Sequence, residues 1–272
     1  MSHAGVPEPA ELLTLAVSVA RTAGELARSM RADGVGGITT KSTETDIVTA
    51  ADRAVEQHIR AAIGAARPDD RVFGEEYGGA RDAATGGVRW IVDPIDGTVN
   101  YLYGLPGYAV SLAAEVDGEI VAGVVCNAVN GQEWTAVRGG GAYTGSRRLT
   151  GSTQTRLAQA LVATGFAYLP ARREHQARVL VGLISQIRDI RRFGCAALDL
   201  CMAAEGVVDA YYEKGLSAWD HAAGGLIAAE AGLLVTGLAG APPGPDLVIA
   251  APPALHTQLH GRLVDLDAAG GP

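Results

Sequence analysis

The chain has 272 residues, 48% of them hydrophobic and 19% charged, so it can form one large domain or two closely packed ones, and extended disorder is not expected. The net charge of −8 and the lack of any basic run argue against nucleic acid as a main partner. Three scattered cysteines fit neither a disulfide framework nor a zinc-binding pattern, so we expect reduced thiols and a cytoplasmic location. We also expect no signal peptide and no membrane span, because there is no basic-then-apolar leader and no apolar run approaches about 20 residues.

The first part of the sequence is predicted to combine two helices with a large antiparallel sheet. Apolar residues at three- and four-residue steps indicate a helix over residues 8–31. A second helix should begin near Thr49, with Asp52 in its first turn, where the helix dipole favours an acid. Strands are predicted over residues 71–74, 90–93, 108–116, 119–126 and 132–137, with shorter strands up to residue 149. The dipeptide Asp117-Gly118 is a strong hairpin turn between two of them.

From about residue 152 onward, strands alternate with helices, which indicates an α/β arrangement. The predicted strands cover residues 161–164, 187–192, 208–212, 233–236 and 247–250, and the predicted helices cover 171–185, 194–205, 217–231 and 252–263. We therefore divide the chain into halves, 1–150 and 151–272, that pack tightly because no linker separates them. The last residues, 267–272, are expected to fray.

The strongest chemical signal is the stretch WIVDPIDGT, which runs from Trp90 to Thr98. It predicts a buried strand that ends at Asp93 and a sharp turn at Pro94, whose φ is fixed and which has no N–H to donate. Asp93 and Asp96 leave this turn together, and two carboxylates held close repel each other unless a cation lies between them. Mg2+ prefers such oxygen ligands.

The end of the same stretch suits an anion. Gly97 allows a backbone shape that a side chain would forbid, and Thr98 is a good N-cap for a following helix. The N–H groups of Gly97 and Thr98 would then face a phosphate. The plain alternative is a strand that ends in an ordinary polar turn, because Asp and Gly are common in turns.

Other acids could complete a cation site, although each has a structural explanation. Glu75 and Glu76 follow a short strand, and only one of them can point inward if the segment is extended. Asp220 lies in the first turn of a predicted helix, where the dipole favours a carboxylate. Asp46 fits a loop or a local turn.

Taken together, these motifs resemble the inositol monophosphatase family. The resemblance rests on four stretches that occur in the family's order: Asp46-Ile47-Val48-Thr49-Ala50-Ala51-Asp52, Gly74-Glu75-Glu76, Asp93-Pro94-Ile95-Asp96-Gly97-Thr98, and Trp219-Asp220 followed by Glu230-Ala231-Gly232. It extends from about residue 10 to 262. Leu233 departs from the Gly that relatives often have there, and the Gly/Pro-rich loop 238–246 cannot be matched.

The resemblance implies a role for each matching residue. The Mg2+ ligands, for two or three ions, would be the carboxylates of Glu75, Asp93, Asp96 and Asp220 and the carbonyl of Ile95. Asp46 and Thr98 would orient and deprotonate the attacking water, with Glu75 counted in the catalytic group. The substrate would contact Gly97, Thr98, Gly194, Ala196, Glu213 and Asp220. The family fold is an αβαβα sandwich, and members are usually homodimers that Li+ inhibits.

The resemblance therefore predicts Mg2+-dependent hydrolysis of a small phosphorylated polyol, with inositol 1-phosphate as the preferred substrate, by an activated water. The same chemistry on histidinol phosphate, fructose 1,6-bisphosphate or a nucleotide phosphate is an alternative, because Glu213 could accept hydrogen bonds from hydroxyls or from an amine. A second alternative is a non-catalytic regulatory protein with the same fold. The intact set of carboxylates argues against it.

Overall fold

The computed structural model describes residues 7–41, 43–44, 47–79 and 87–272. The helices are α1 (Pro9–Ala32), α2 (Ala50–Ala66), α3 (Thr98–Tyr103), α4 (Pro170–Leu183), α5 (Ala196–Glu205), α6 (Ala218–Glu230) and α7 (Pro253–Asp265). The strands are β1 (Thr39–Thr40), β2 (Ile47–Val48), β3 (Arg71–Gly74), β4 (Val88–Asp96), β5 (Ala109–Val116), β6 (Glu119–Asn127), β7 (Glu133–Val137), β8 (Gly141–Thr144), β9 (Arg147–Arg148), β10 (Leu161–Thr164), β11 (Asp189–Arg191), β12 (Ala210–Glu213), β13 (Leu234–Thr236) and β14 (Val248–Ala251). Among the helices of these ranges, none is both long and apolar enough to cross a membrane.

The larger sheet has, within the described residues, seven strands in the order β3-β4-β5-β6-β7-β8-β9. Its pairs are antiparallel except β3 with β4, which run parallel, so the predicted antiparallel sheet has one parallel edge. Both faces of the sheet are covered. Trp90 and Val92 pack with α1 and α2, whereas Ile91 between them packs with α5 and α6. This two-sided burial explains the unbroken apolar run before Asp93.

The smaller sheet has the strand order β11-β10-β12-β14-β13 among the described residues. Strand β10 is parallel to both of its neighbours, and β14 is antiparallel to both of its own. Helices α5 and α6 fill the space between the two sheets, and α4 and α7 cover the outer face of the smaller one. The layers therefore follow the expected αβαβα order.

The structure differs from the prediction at Pro94, because β4 does not end at Asp93 but continues to Asp96. Asp93 pairs with Ser111 and Asp96 pairs with Ala109, so β4 has one extra residue there, which is a β-bulge. A bulge tolerates a proline, since it leaves one residue out of the hydrogen-bonding ladder. The chain turns instead at Gly97, whose φ of 90° lies in the left-handed region.

Two local predictions at the ends of elements are also corrected. Gly97, and not Thr98, is the N-cap of α3, and the Thr98 hydroxyl lies 3.1 Å from the carbonyl oxygen of Ile95. Residues 267–272 do not fray. Ala268 is buried, and the ring of His175 lies 2.8 Å from the main-chain oxygen of Asp267.

Candidate active site

A cavity of about 520 Å³ collects the predicted site residues that the structure describes. It is lined by the four carboxylates expected to bind Mg2+, which are Glu75, Asp93, Asp96 and Asp220. The others are Ile95, Gly97, Thr98, Gly194, Ala196 and Glu213. Glu75 lines the cavity and Glu76 does not, but the reason differs from the prediction, because β3 ends at Gly74 and both glutamates lie in the turn that follows it, not in an extended segment. Asp46 lies outside the described residues, and its role stays a prediction.

Backbone N–H groups fix three of the acids that line the cavity. The bulge of β4 directs Asp93 and Asp96 into it, and the main-chain N–H of Ile95 donates to Asp93 Oδ1 at 3.1 Å. The N–H of Ala197, in the first turn of α5, donates to Asp96 Oδ2 at 2.6 Å. Asp220 is the third residue of α6 and accepts a hydrogen bond from the N–H of Ser217 at 2.6 Å. The capping role expected for this acid is therefore present, and the same side chain also reaches the cavity.

The negative charges of these four carboxylates repel one another. Burial, and then the charges of Glu75, Asp96 and Asp220, raise the pKa of Asp93 well above its ordinary value. Burial and the charges of Asp96 and Glu75 do the same to the pKa of Asp220. A group of buried acids that disfavour one another's ionisation requires either protons or cations. Lys41 supplies part of that charge, because its Nζ lies 2.9 Å from Glu75 Oε1.

The chemistry of the cavity fits a hard divalent cation. Carboxylate and carbonyl oxygens converge there, and these are the ligands that Mg2+ prefers. In the described ranges, no three acidic, histidine or cysteine side chains already stand at ligand positions around one point. Ligation would require the carboxylates to rotate toward a common centre, which is open to them because all four line one cavity.

Asp52, which was predicted to lie in the first turn of the second helix, contacts Thr98 in the structure. Asp52 is fully buried, and its Oδ2 accepts hydrogen bonds from the N–H and hydroxyl of Thr49 at 2.8 and 2.6 Å. Its other oxygen, Oδ1, lies 3.1 Å from the Thr98 hydroxyl. Burial is the main cause that raises the pKa of Asp52. In the sequence, the available signal of a second role was that Asp52 ends one of the stretches that resemble the family.

The cavity is also lined by Glu213 and several cations. Burial raises the pKa of Glu213 to about 7, although the hydroxyl of Tyr211, which donates to Glu213 Oε2 at 2.8 Å, lowers it. Besides Lys41, the cations that line it are Arg172, Arg192 and Lys214, and the sequence analysis did not single them out. Residues 192–194 and 213–215 thus bring positive charge to the lining of the cavity.

Known proteins of one family match this chain over nearly its whole length. The profile of the inositol monophosphatase family matches residues 8–267. A protein of Mycobacterium leprae named inositol-1-monophosphatase is 45% identical, with 94% of each chain covered. A Pseudomonas aeruginosa protein named Nus factor SuhB is 40% identical over 84% of this chain and 86% of its own. The solved structure of Mycobacterium tuberculosis SuhB is 38% identical, with a TM-score of 0.82 over 97% of this chain and 99% of that one. The chain therefore belongs to the inositol monophosphatase family.

Proposed function

We propose that this protein hydrolyses a small phosphorylated polyol in a Mg2+-dependent reaction, with inositol 1-phosphate as the preferred substrate. Family membership makes it a phosphoric monoester hydrolase. The observation that carries the finer proposal is the convergence of four carboxylates from three separate stretches of chain on one cavity, beside the Asp52–Thr98 contact. The names of the mycobacterial relatives support the choice of substrate.

The residues that would hold Mg2+ are Glu75, Asp93, Asp96 and Asp220, with the carbonyl oxygen of Ile95. Bound Mg2+ supplies Lewis-acid charge that neutralises phosphate oxygens and makes water a better nucleophile. Without cations, four ionised carboxylates would carry a formal charge of about −4 and would repel a phosphate dianion, so Mg2+ would also help the substrate to enter.

The remaining residues bind and orient. The N–H groups of Gly97 and Thr98 would bind phosphate oxygens, because they lie at the turn where β4 passes into α3. Asp52 would hold the Thr98 hydroxyl and accept the proton that the attacking water loses, since it is buried beside that hydroxyl. The proposal thus gives Asp52 the role that the resemblance had given to Asp46. Glu213 would accept hydrogen bonds from hydroxyl groups of the substrate.

The test is phosphate release from a panel of esters, with and without Mg2+. The panel contains inositol 1-phosphate, histidinol phosphate, fructose 1,6-bisphosphate and a nucleotide phosphate. If inositol 1-phosphate has less than about a hundredth of the best kcat/KM, equivalent to about 2.7 kcal/mol in the transition state, the substrate assignment is wrong. The same proposal includes inhibition by Li+, which the phosphate-release assay checks. It also includes a homodimer, which light scattering checks, and a cytoplasmic location, which fractionation of cells checks.

A regulatory role is the second candidate, because the Pseudomonas aeruginosa relative is named a Nus factor. The absence of hydrolysis on every ester of the panel, in protein that is folded and supplied with Mg2+, would favour it. Hydrolysis that Asp93→Asn abolishes without unfolding the protein would favour the enzyme.

A further inference from the structure

A buried glutamate of α2 takes no part in the expected ion site or in the proposed proton transfer. Glu56 is fully buried, lies one helical turn after Asp52 and, among the described residues, is not part of the cavity lining. A buried carboxylate needs donors around it, because desolvation of an unpaired charge is costly. The donors of Glu56 therefore indicate what this side chain does.

The donors come from the turn 75–77, which carries Glu75. Glu56 Oε2 accepts a hydrogen bond from the main-chain N–H of Glu76 at 2.7 Å, and Oε1 accepts one from that of Tyr77 at 3.3 Å. The N–H of Glu75 itself donates to the carbonyl of Val92 in β4 at 3.2 Å. All three N–H groups of the turn are thus bound by partners outside it, which fix its backbone to α2 and to β4.

Arg60, one turn further along α2, ties the two ends of this turn together. Its Nε donates to Glu56 Oε1 at 2.8 Å, and its two terminal nitrogens donate to the carbonyls of Val72 and Gly78. The carbonyl of Gly78 also accepts the N–H of Gly74 at 3.0 Å. The residue before the turn and the residue after it are therefore joined, and the ion pair of Glu56 and Arg60 connects both to α2.

The backbone before the turn makes room for the carboxylate of Glu56. A Cβ atom built on Gly74 would lie 2.1 Å from Glu56 Oε1 and 2.4 Å from Glu56 Cδ. The φ of Gly74 lies outside the left-handed region, so the close approach of the carboxylate, and not the backbone shape, requires glycine here. Any side chain at position 74 would displace Glu56 from the two N–H groups that it binds.

Helix α2 thus supports two parts of the candidate site at once. Asp52 and Glu56 are four residues apart, so they lie on one face of the helix. Asp52 contacts the Thr98 hydroxyl, whereas Glu56 holds the turn that carries Glu75. Because the two acids act on different segments, a change of Glu56 can disturb the turn and leave the contact with Thr98 in place.

We propose that Glu56 and Arg60 are positioning residues, which hold the turn 75–77 in the conformation in which Glu75 binds Mg2+. This inference rests on the proposed function, in which Glu75 is an Mg2+ ligand. Without the pair, the turn populates other conformations, and the apparent affinity for Mg2+ falls with the fraction of molecules that keep the binding conformation. If about a tenth of the molecules keep it, Mg2+ binds about tenfold more weakly.

The experiment is calorimetric titration of Mg2+ into metal-free protein, together with phosphate release from inositol 1-phosphate over a range of Mg2+ concentrations. Glu56→Gln keeps the size of the side chain but turns an NH2 group toward donors. We expect the Kd for Mg2+ and the Mg2+ concentration at half-maximal activity to rise by about tenfold or more, and the KM at saturating Mg2+ to stay within about twofold. Arg60→Gln, which leaves Glu56 in place, should raise the same two quantities by a smaller factor.

Glu205→Gln is the matched control. Glu205 is also a helix glutamate with three donors, one of them an arginine, and among the described residues it does not line the cavity; the donors are Gln132, Trp134 and Arg147. Its loss should lower the urea midpoint of unfolding, as the loss of Glu56 does, but should leave the Kd for Mg2+ unchanged. The comparison separates the position of the turn from the stability of the fold.

A Kd for Mg2+ that both Glu56→Gln and Arg60→Gln leave unchanged would overturn the positioning role, since the pair would then only stabilise the fold. A rise of the Kd in Glu205→Gln as large as in Glu56→Gln would also overturn it. If Glu56→Gln does not fold, Arg60→Gln decides the matter, because the Arg60 side chain is 27% exposed and its loss buries no new charge.

The titration also distinguishes failure of this inference from failure of the proposed function. A wild type that binds no Mg2+ overturns both. A wild type that binds Mg2+ but hydrolyses no ester overturns only the proposed reaction, and the Kd values of the variants still decide the positioning role. A wild type that binds Mg2+ with the same Kd as both variants overturns only the positioning role.

Discussion

Asp52→Asn separates the structural role of Asp52 from its proposed catalytic role. The carboxylate accepts two hydrogen bonds from Thr49 through Oδ2 and lies beside the Thr98 hydroxyl through Oδ1. An asparagine can keep its oxygen toward Thr49 and turn its NH2 group toward Thr98, whose hydroxyl then accepts and still has the Ile95 carbonyl as its own acceptor. The hydrogen-bonding pattern therefore survives, but the proton acceptor is lost.

The stability cost of this change is small compared with the loss of activity. The two Thr49 bonds change from charge-assisted to neutral, which costs about 1 to 2 kcal/mol in the free energy of unfolding and lowers the Tm by roughly 5 °C. Such a loss leaves a domain of ordinary stability almost fully folded. Removal of a general base, in contrast, lowers kcat by about 10² to 10⁴.

The assay is kcat for phosphate release at saturating Mg2+, together with urea unfolding of the same samples. Asp70→Asn is the matched control, because Asp70 accepts a hydrogen bond from Trp90 Nε1 at 2.8 Å and does not line the cavity. It should lose comparable stability and keep kcat within about twofold. If Asp52→Asn keeps kcat within tenfold of the wild type, Asp52 is not the base and the assignment is refuted.

Three further predictions concern charge in the cavity. Asp93→Asn should abolish Mg2+-dependent hydrolysis. It should also raise the Tm of the metal-free protein at pH 8, because it removes one of several buried charges that repel one another. If Mg2+ raises the Tm of the variant as much as that of the wild type, the prediction is wrong. The pKa values of Glu76 and Glu213 are raised to about 7 by burial, so their stabilising contribution is complete below the unfolded value near pH 4 and is lost as pH rises through 7. The free energy of unfolding of metal-free protein, measured by urea titration, should thus be lower at pH 8 than at pH 5.5. A free energy of unfolding that rises from pH 5.5 to pH 8 would argue against the raised pKa values of Glu76 and Glu213. Glu213→Gln should raise the KM for inositol 1-phosphate by about tenfold with a smaller change in kcat, and an unchanged KM would remove Glu213 from substrate binding.

Local signals explain why most elements could be predicted from the sequence. Asp117 and Gly118 both have positive φ values, 51° and 85°, as the hairpin turn between β5 and β6 requires. Thr49 and Ser217 each begin a helix with a capping box. These features depend on residues within one or two turns of one another, so the sequence displays them directly.

Features that depend on distant parts of the chain could not be predicted in this way. The Asp52–Thr98 contact joins residues 46 positions apart, and the capping role of Asp52 already accounted for that acid locally. The bulge at Pro94 depends on the register with β5, which the sequence of β4 does not specify. The segment 267–272 was predicted to fray because its residues show no periodic pattern of apolar side chains. Its anchors, His175, Lys214 and Arg172, come from other elements.

The hydrogen bond between Ala197 and Asp96 has a consequence for biosynthesis. Asp96 leaves the ribosome 101 residues before the amide that orients it, and Asp220 emerges later still. Because chains are made and fold from the N-terminus, a nascent chain with α5 still in the exit tunnel exposes Asp93 and Asp96 without the groups that complete their surroundings. If the carboxylates bind Mg2+ as proposed, the complete ion site would therefore form only after most of the polypeptide has been made.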